Sequence, residues 1–171
     1  KPKCLVNVLG KPILHYQLDS LIACGIKDII IVVGYKSSKI LDFINEYSNN
    51  SEIKIRFSIV NNKKYKSSNS SYSFFLAHSS IMGNQYIHLN CDVIFSEILL
   101  SKIITSSYEN VIALDVDIQL KNNMEKVKLN GTKIIEMDNM ELIGAIGKAS
   151  GLARISLSAS SWANNRISQY I

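Results

Sequence analysis

Apolar residues recur along the chain at two different spacings. Within residues 13–22 and 40–47 they fall three and four positions apart, which is typical of the buried face of an amphipathic helix. Residues 28–33 are apolar on both faces, as in a central strand of a parallel sheet. Residues 53–59 alternate between apolar and polar positions, as in a half-buried strand. Strand and helix patterns continue to alternate up to residue 116.

This pattern predicts eight strands and five helices. Pro12 suits the first turn of the first helix and Gly25 its carboxyl end, and the Asn130-Gly131 pair is the strongest short signal for a hairpin. The predicted strands are residues 5–8, 28–33, 53–59, 86–91, 111–116, 126–129, 133–137 and 152–156, and the predicted helices include residues 13–22, 40–47, 72–82, 96–106 and 159–171. Because strands alternate with helices, we expect an α/β three-layer sandwich with a mostly parallel sheet and an added antiparallel hairpin.

Composition narrows the class of protein. The 171 residues are 47% apolar and 19% charged, which is typical of a folded domain and excludes collagen-like and disordered chains. The longest aliphatic run, residues 29–33, is far shorter than the about 20 residues of a membrane span. We expect a single domain over residues 1–171, without a secretory signal, a membrane segment or an internal linker.

Charge and cysteine content indicate a cytoplasmic protein that does not bind nucleic acid. The net charge is +5, but the lysines are scattered along the chain and only residues 63–66 form a cluster. A charge excess of this size suits anionic phosphates equally well. Cys4, Cys24 and Cys91 lack metal-ligand spacing, so they are interpreted as buried thiols in a reducing compartment.

Three aspartates lie at or just after the ends of predicted strands, where ligands bind in parallel α/β sheets. Asp92 follows the strand at 86–91, and a carboxylate there is a ligand for Mg²⁺ together with phosphate oxygens. The competing interpretation is an ordinary turn aspartate. Asp115 and Asp117 lie at the end of the strand at 111–116, where alternate side chains point the same way and could share one ion. The competing interpretation of this pair is a solvated strand end.

Five segments of the chain resemble the sugar-phosphate nucleotidyltransferase family. Residues 1–14 place a Pro-Lys pair before a hydrophobic strand and a Gly-Lys-Pro turn, and residues 25–35 are similar to the family's second strand with its Gly-Tyr end. Residues 69–74 resemble the Asn-x-x-Tyr-Ser segment of the phosphocholine cytidylyltransferase branch. Residues 90–93 resemble the strand end that carries the family's metal-binding aspartate, and residues 147–156 resemble its late Gly-Glu-x-x-Gly-Ile strand.

The resemblance implies a Rossmann-like nucleotidyltransferase fold. It also implies transfer of a nucleoside monophosphate from a nucleoside triphosphate, with CTP among the candidates, to a phosphomonoester, with release of pyrophosphate. Lys3 would neutralise phosphate charge and Asp92 would bind Mg²⁺, so the two should lie at one edge of the sheet. Asn69 and Ser73 would lie near the nucleotide or the acceptor. A loop asparagine and a helix-cap serine are the local alternatives for these two residues.

Several features depart from the family pattern. Cys91 replaces the usual glycine, and Lys148 stands where glutamate is common. The family's glycine-rich loop, whose backbone N–H groups wrap the triphosphate, should precede Pro2 and Lys3. No acidic residue follows Glu141 to serve as a second metal ligand. We therefore expect a domain that is incomplete at both ends and that transfers little or no nucleotide by itself.

Three hypotheses for the function stay open. The leading one is a cytoplasmic enzyme that makes an activated precursor of a surface polysaccharide or of a lipid head group. The second is a glycosyltransferase of the related fold, with Asp115 and Asp117 as its metal pair. The third is a non-catalytic relative that has kept the fold without the triphosphate loop. The expected partners are a nucleoside triphosphate and a phosphomonoester, while the base, the acceptor and assembly into a homo-oligomer stay open.

Overall fold

A computed structural model describes residues 1–81 and 84–170 of the chain. A short 3₁₀ helix at Lys3–Leu5 comes first. The strands are β1 (Asn7–Val8), β2 (Lys11–Pro12), β3 (Asp28–Val33), β4 (Arg56–Asn61), β5 (Tyr86–Leu89), β6 (Val111–Asp115), β7 (Lys126–Asn130), β8 (Lys133–Asp138) and β9 (Gly147–Ile155). The helices are α1 (Ile13–Ala23), α2 (Ser37–Asn50), α3 (Ser70–Ile81), α4 (Glu97–Thr105) and α5 (Leu157–Ser168). Among these described helices, none has both the length and the apolar character needed to cross a bilayer.

The α/β class and the hairpin are confirmed, but the described strand pairs are mostly antiparallel. β3 pairs in parallel with β4, and among the described strands β1 pairs only with β2. β9 runs antiparallel to β5 on one side and to β6 on the other, and it also pairs with β7 of the hairpin. The expected mostly parallel sheet is therefore not seen in these ladders, because one long strand runs against three neighbours. Since β5 and β6 both run against β9, they are parallel to each other and their carboxyl ends lie at one edge.

The prediction of a single strand over residues 5–8 is wrong. The 3₁₀ helix includes Leu5, and β1 contains only two residues. The reason is the turn that follows, because Leu9 and Gly10 adopt φ values of 48° and 89° and direct the chain back onto β2. Left-handed backbone at a leucine is rare, so the apolar pattern does not indicate it.

The other predicted elements differ from the structure mainly at their ends. β4 begins later than predicted, at Arg56. β9 begins earlier, at Gly147, because its first residues pair with β6 and β7. α1 ends as predicted, with Gly25 after it at φ 81°. The predicted helix ends at Met82 and Ile171 lie outside the described residues.

Two apolar clusters form the core, and α1 packs into both of them. Leu14 and Leu18 of α1 lie in the first cluster, with buried residues of the 3₁₀ helix, β3 and α2. Leu21 lies in the second cluster, which joins α4, β6 and β9 and includes the fully buried Leu100 and Leu152. α1 therefore connects the amino-terminal segment to the sheet that contains β5.

Candidate active site

The structure brings Lys3 and Asp92 into contact although they are 89 residues apart in the chain. Lys3 Nζ lies 3.2 Å from Asp92 Oδ2, and the two side chains are 77% and 43% exposed. Lys3 begins the 3₁₀ helix, whose Cys4 and Leu5 are buried in the first cluster. Asp92 follows β5 within residues 90–97, here called the Asp92 segment. The two residues lie together as expected, and their roles stay predictions.

Hydrogen bonds hold the Asp92 segment on both sides of Asp92. Gln17 of α1 is 4% exposed and donates from Nε2 to the backbone oxygens of Asn90 and Val93, at 2.8 Å each. The Asn90 amide donates to the Gly151 carbonyl at 2.8 Å. Gly151 has φ 81°, and a Cβ there would lie 2.5 Å from Asn90 Nδ2. A glycine is therefore required where β9 meets the Asp92 segment.

Sequence reasoning misses Gln17. It stands among Leu14, Leu18 and Leu21 on the buried face of α1. A polar side chain in such a position needs a hydrogen-bond partner, and this mismatch is the signal that identifies it as a residue to examine. The sequence pattern does not reveal which partner it contacts.

Two cysteines lie next to the ion pair. Burial and the nearby Cys91 raise the pKa of the Cys4 thiol to about 11. The Cys91 side chain is exposed, but desolvation by nearby protein atoms and the charge of Asp92 raise its pKa, while Lys3 opposes that shift. A thiol with a raised pKa is a poor nucleophile at neutral pH, so neither cysteine is suited to covalent catalysis.

The prediction that all three cysteines are buried is only partly right. All three thiols are free, and Cys4 is buried as expected. Cys24 is half-buried, because it follows the last turn of α1. Cys91 is exposed, because it lies in the turn after β5 at the edge of the sheet.

Asn69 and Ser73 make local hydrogen bonds at the start of α3. Asn69 Oδ1 accepts from the Tyr72 amide at 3.2 Å, as a helix cap does. Ser73 Oγ accepts from Asn62 Nδ2 at 3.1 Å. Asn62 is 3% exposed and directly follows β4, so it joins the end of this strand to α3. The roles of Asn69 and Ser73 towards a ligand stay predictions.

Sequence reasoning also misses Asn62. Its Nδ2 donates to Ser68 Oγ at 3.0 Å as well as to Ser73, and its Oδ1 accepts from the Lys64 amide at 2.9 Å. The available signal is an asparagine pair at the end of an apolar strand, a position where polar side chains commonly order the following loop. Asn62 thus organises the loop that leads to Asn69.

Lysine ammonium groups lie over tyrosine rings beyond the ends of β3 and β4. Lys36 Nζ is 5.2 Å from the centre of the Tyr35 ring, and Lys64 Nζ is 5.3 Å from that of Tyr72. Such cation–π contacts hold a charged group in place without neutralising it. Positive charge is therefore concentrated at the carboxyl ends of the parallel pair, where α/β sheets bind ligands.

In the part of the chain that the structure describes, the two carboxylates at the end of β6 lack hydrogen bonds of the kind that surround Asp92. Asp115 ends β6 and pairs through its backbone with Lys148, and Asp117 lies in the bend that follows; both aspartates are exposed. Within residues 1–81 and 84–170, no group of three or more histidine, cysteine, aspartate or glutamate side chains could hold a metal ion. Within the described residues, neither aspartate therefore belongs to a larger group of metal-ligating side chains.

Asp92 fits a metal ion that arrives with a nucleotide. Its side chain is 43% exposed and lies beside the ammonium group of Lys3. Mg²⁺ in nucleotide-binding sites takes one or two carboxylates and completes its shell with water and phosphate oxygens. One accessible carboxylate beside a lysine matches that donor set, whereas an ion held by protein alone would need more ligands than the described residues offer.

Curated proteins similar to this chain agree with the resemblance seen in its motifs. The chain is 33% identical over 110 residues to choline-phosphate cytidylyltransferase of Streptococcus pneumoniae, a match that covers 64% of this chain and 44% of that protein. It is 26% identical over 120 residues to CTP:phosphoglutamine cytidylyltransferase of Campylobacter jejuni, covering 67% and 45% of the two chains. The chain thus spans about half the length of the curated relatives it matches.

Solved structures share the fold. The inositol-1-phosphate CTP transferase from T. maritima matches with a TM-score of 0.75 and 19% identity, over 94% of this chain and 64% of that one. An apo UDP-glucose pyrophosphorylase matches with a TM-score of 0.74 and 11% identity, over 96% and 72% of the two chains. At these identities the likeness establishes the fold alone.

A family model also matches most of the chain. The match covers residues 8–141, and the family is described as a domain of unknown function, DUF6564. It includes β3, β5 and Asp92, while Lys3 precedes it. The chain therefore belongs to the DUF6564 family, and the named relatives it resembles are nucleotidyltransferases, two of them cytidylyltransferases, in agreement with the family that its motifs resemble.

Proposed function

We propose that this protein transfers a nucleoside monophosphate, with CTP as the donor, to a phosphomonoester. An acceptor phosphate oxygen attacks the α-phosphorus of the triphosphate, the bond between that phosphorus and the β-bridging oxygen breaks, and pyrophosphate leaves. The observation that carries the proposal is the contact between Lys3 and Asp92 at the sheet edge. The two cytidylyltransferase relatives support CTP as the donor.

Lys3 and Asp92 exchange partners when the triphosphate binds. In the free protein each neutralises the other, and because both are exposed, the pair contributes at most about 1 kcal/mol to stability. The triphosphate therefore separates them easily, so that Lys3 contacts phosphate oxygens and Asp92 would hold Mg²⁺. The ion, when bound, would neutralise phosphate charge that develops during transfer.

The motifs supply the finer parts of the proposal. Asn69 and Ser73 lie near the nucleotide or the acceptor. The product is an activated precursor of a surface polysaccharide or of a lipid head group. The free thiols of the chain suit a reducing cytoplasm. That residues 1–171 form a single domain stays a prediction from length and composition, and that they are inactive by themselves stays a prediction from the motif pattern.

Pyrophosphate release by the full-length protein tests the proposal. The protein is mixed with Mg²⁺, each nucleoside triphosphate in turn, and phosphocholine, inositol 1-phosphate or mannose 1-phosphate. We expect release with CTP and one of these acceptors, and its loss in the Asp92→Asn variant. Release of a nucleoside diphosphate from a nucleotide-sugar would instead support the glycosyltransferase hypothesis. Absence of any triphosphate binding would support the non-catalytic one.

A further inference from the structure

One side of α1 holds the Asp92 segment through three polar side chains. Gln17 donates to two backbone oxygens of the segment, Ser20 to a third at 3.3 Å, and Cys24, just after the helix, to a fourth at 3.7 Å. Residues spaced three and four apart lie on the same side of a helix. The four acceptors are the carbonyls of Asn90, Val93, Phe95 and Glu97.

The same helix also fixes the position of Lys3. Leu14 and Leu18 of α1 pack in the first cluster with Cys4 and Leu5, the two residues that follow Lys3. Leu18 is completely buried. α1 therefore supports both residues of the ion pair: its apolar side chains pack against those of Cys4 and Leu5 next to Lys3, and Gln17 bonds to the backbone around Asp92.

We infer that Gln17 is a positioning residue that sets the Asp92 carboxylate at the distance from Lys3 that a triphosphate with its metal ion requires. The inference rests on the proposed function, since it assigns Gln17 to a metal-binding carboxylate. The Gln17 carboxamide has two N–H donors on one nitrogen, and its two acceptors, Asn90 and Val93, lie on either side of Asp92. Because Gln17 is buried, water does not replace these bonds when the donors are removed.

Ser20 offers a matched control for Gln17. It lies on the same side of α1 and is 8% exposed, against 4% for Gln17. Its single bond reaches Phe95, which lies beyond Asp92. Ser20→Ala therefore removes a buried hydrogen bond between the same two parts of the structure, and leaves in place the two bonds that flank Asp92.

Metal binding in the absence of the acceptor is the direct test. Full-length protein with CTP is titrated with Mn²⁺, and free Mn²⁺ is measured by electron paramagnetic resonance. Gln17→Met keeps the length of the side chain and removes its donors, so we expect Mn²⁺ binding to weaken about tenfold, as for other residues that orient a ligand. For Ser20→Ala we expect a change of less than about twofold. Equal affinity in Gln17→Met and the parent protein would overturn the inference.

A second variant keeps this test valid if Gln17→Met does not fold. Gln17→Asn retains the two donors but shortens the side chain by one methylene group, so the donors no longer reach both carbonyls. We expect weaker Mn²⁺ binding here as well. Parental affinity in a folded Gln17→Asn variant counts against the inference in the same way.

Hydrogen exchange separates this inference from the proposed function. In Gln17→Met we expect faster amide exchange over residues 90–95 and unchanged exchange over residues 111–115 of β6. Unchanged exchange over residues 90–95 overturns the inference whatever the metal does. If Asp92→Asn binds Mn²⁺ with CTP as tightly as the parent protein, the metal role of Asp92 fails, and with it the effect on metal assigned to Gln17.

Discussion

The ends of β5 and β6 differ in how they hold their carboxylates, although both lie at the same edge of the sheet. After β5, Asp92 contacts Lys3, and the donors of Gln17 fix the backbone around it. After β6, Asp117 is exposed, and no residue of the described chain forms a hydrogen bond or an ion pair with its carboxylate. Position at the end of a strand therefore identifies Asp92 and Asp117 equally well as candidate ligands. The two differ only in the contacts that surround them.

Those contacts matter because pairing in the sheet fixes the backbone of a strand but does not fix the loop that follows it. The Asp92 segment is attached to α1, which is itself packed into both core clusters. A functional side chain supported by a rigid helix keeps its geometry more closely than one on an unsupported loop. Of the two strand ends, the one that carries Asp92 is therefore the more firmly held by the rest of the structure.

Removal of charge at the two strand ends should show the largest difference. In the full-length protein we expect Asp92→Asn to lower kcat/KM for CTP by about 10²- to 10³-fold, because the amide keeps the shape and loses the charge. Asp117→Asn is the matched control, with an expected change of less than about twofold. The measurement is pyrophosphate release at limiting CTP and saturating acceptor. A greater loss in Asp117→Asn would reverse the comparison and favour the glycosyltransferase hypothesis.

The lysine of the ion pair should show the next largest effect. We expect Lys3→Ala to lower kcat/KM for CTP by about 10- to 100-fold, because a positive charge beside the phosphates is lost. Unfolding free energy should change by less than about 1 kcal/mol, because the ion pair is exposed. Lys1→Ala is the control, since within residues 1–81 and 84–170 the Lys1 side chain bonds only to Asn7, with Nζ 3.5 Å from Oδ1. Equal rates for both variants would place Lys3 outside the site.

The fold was largely predictable because apolar spacing reports directly which face of an element is buried. That holds for β3 and for α1, whereas the hairpin was predicted from its Asn130-Gly131 turn, since β8 is exposed along its whole length. Apolar spacing fails at Leu9, where the positive φ comes from the turn between β1 and β2 and not from the residue type. It fails also for strand direction, because the antiparallel pairing of β9 depends on contacts between residues far apart in the chain.

The site was predictable only in part, and for a related reason. Motif resemblance predicted Lys3 and Asp92, and the structure brings these two side chains into contact, while their roles stay predictions. Motif resemblance was not enough to select Gln17, whose two acceptors lie 73 and 76 residues further along the chain. A buried glutamine indicates that a partner exists, but only the folded chain brings that partner into reach.

The glycine beside Asn90 provides a test of how tightly the Asp92 segment is held. Gly151→Ala is expected to lower the unfolding free energy by about 2–4 kcal/mol, because an alanine there has left-handed φ and its Cβ would meet Asn90 Nδ2 at 2.5 Å. Gly131→Ala is the control. Gly131 has φ 59°, but a Cβ there would have no neighbouring atom within 4 Å, so we expect the unfolding free energy to fall by only about 1–2 kcal/mol. Chemical denaturation measures the unfolding free energy of both variants. Equal decreases would show that the Asp92 segment moves aside for the added methyl group without cost.

His88 of β5 should make the stability of the protein depend on pH, and we expect this effect to be the smallest. β6 has no histidine and therefore makes no such contribution. Burial lowers the pKa of His88, while the Asn90 side chain and the charge of Glu125 oppose the shift. Below pH about 6.5 the unfolded chain therefore takes up a proton that the folded chain resists, so stability falls as the pH decreases. In His88→Gln the unfolding free energy should fall less between pH 7 and about pH 5. His15→Gln is the control, since the His15 ring lies beside Asp19 and outside the sheet, with Nε2 3.5 Å from Oδ2. Retention of the full parental slope in His88→Gln would show that other groups cause the acid sensitivity.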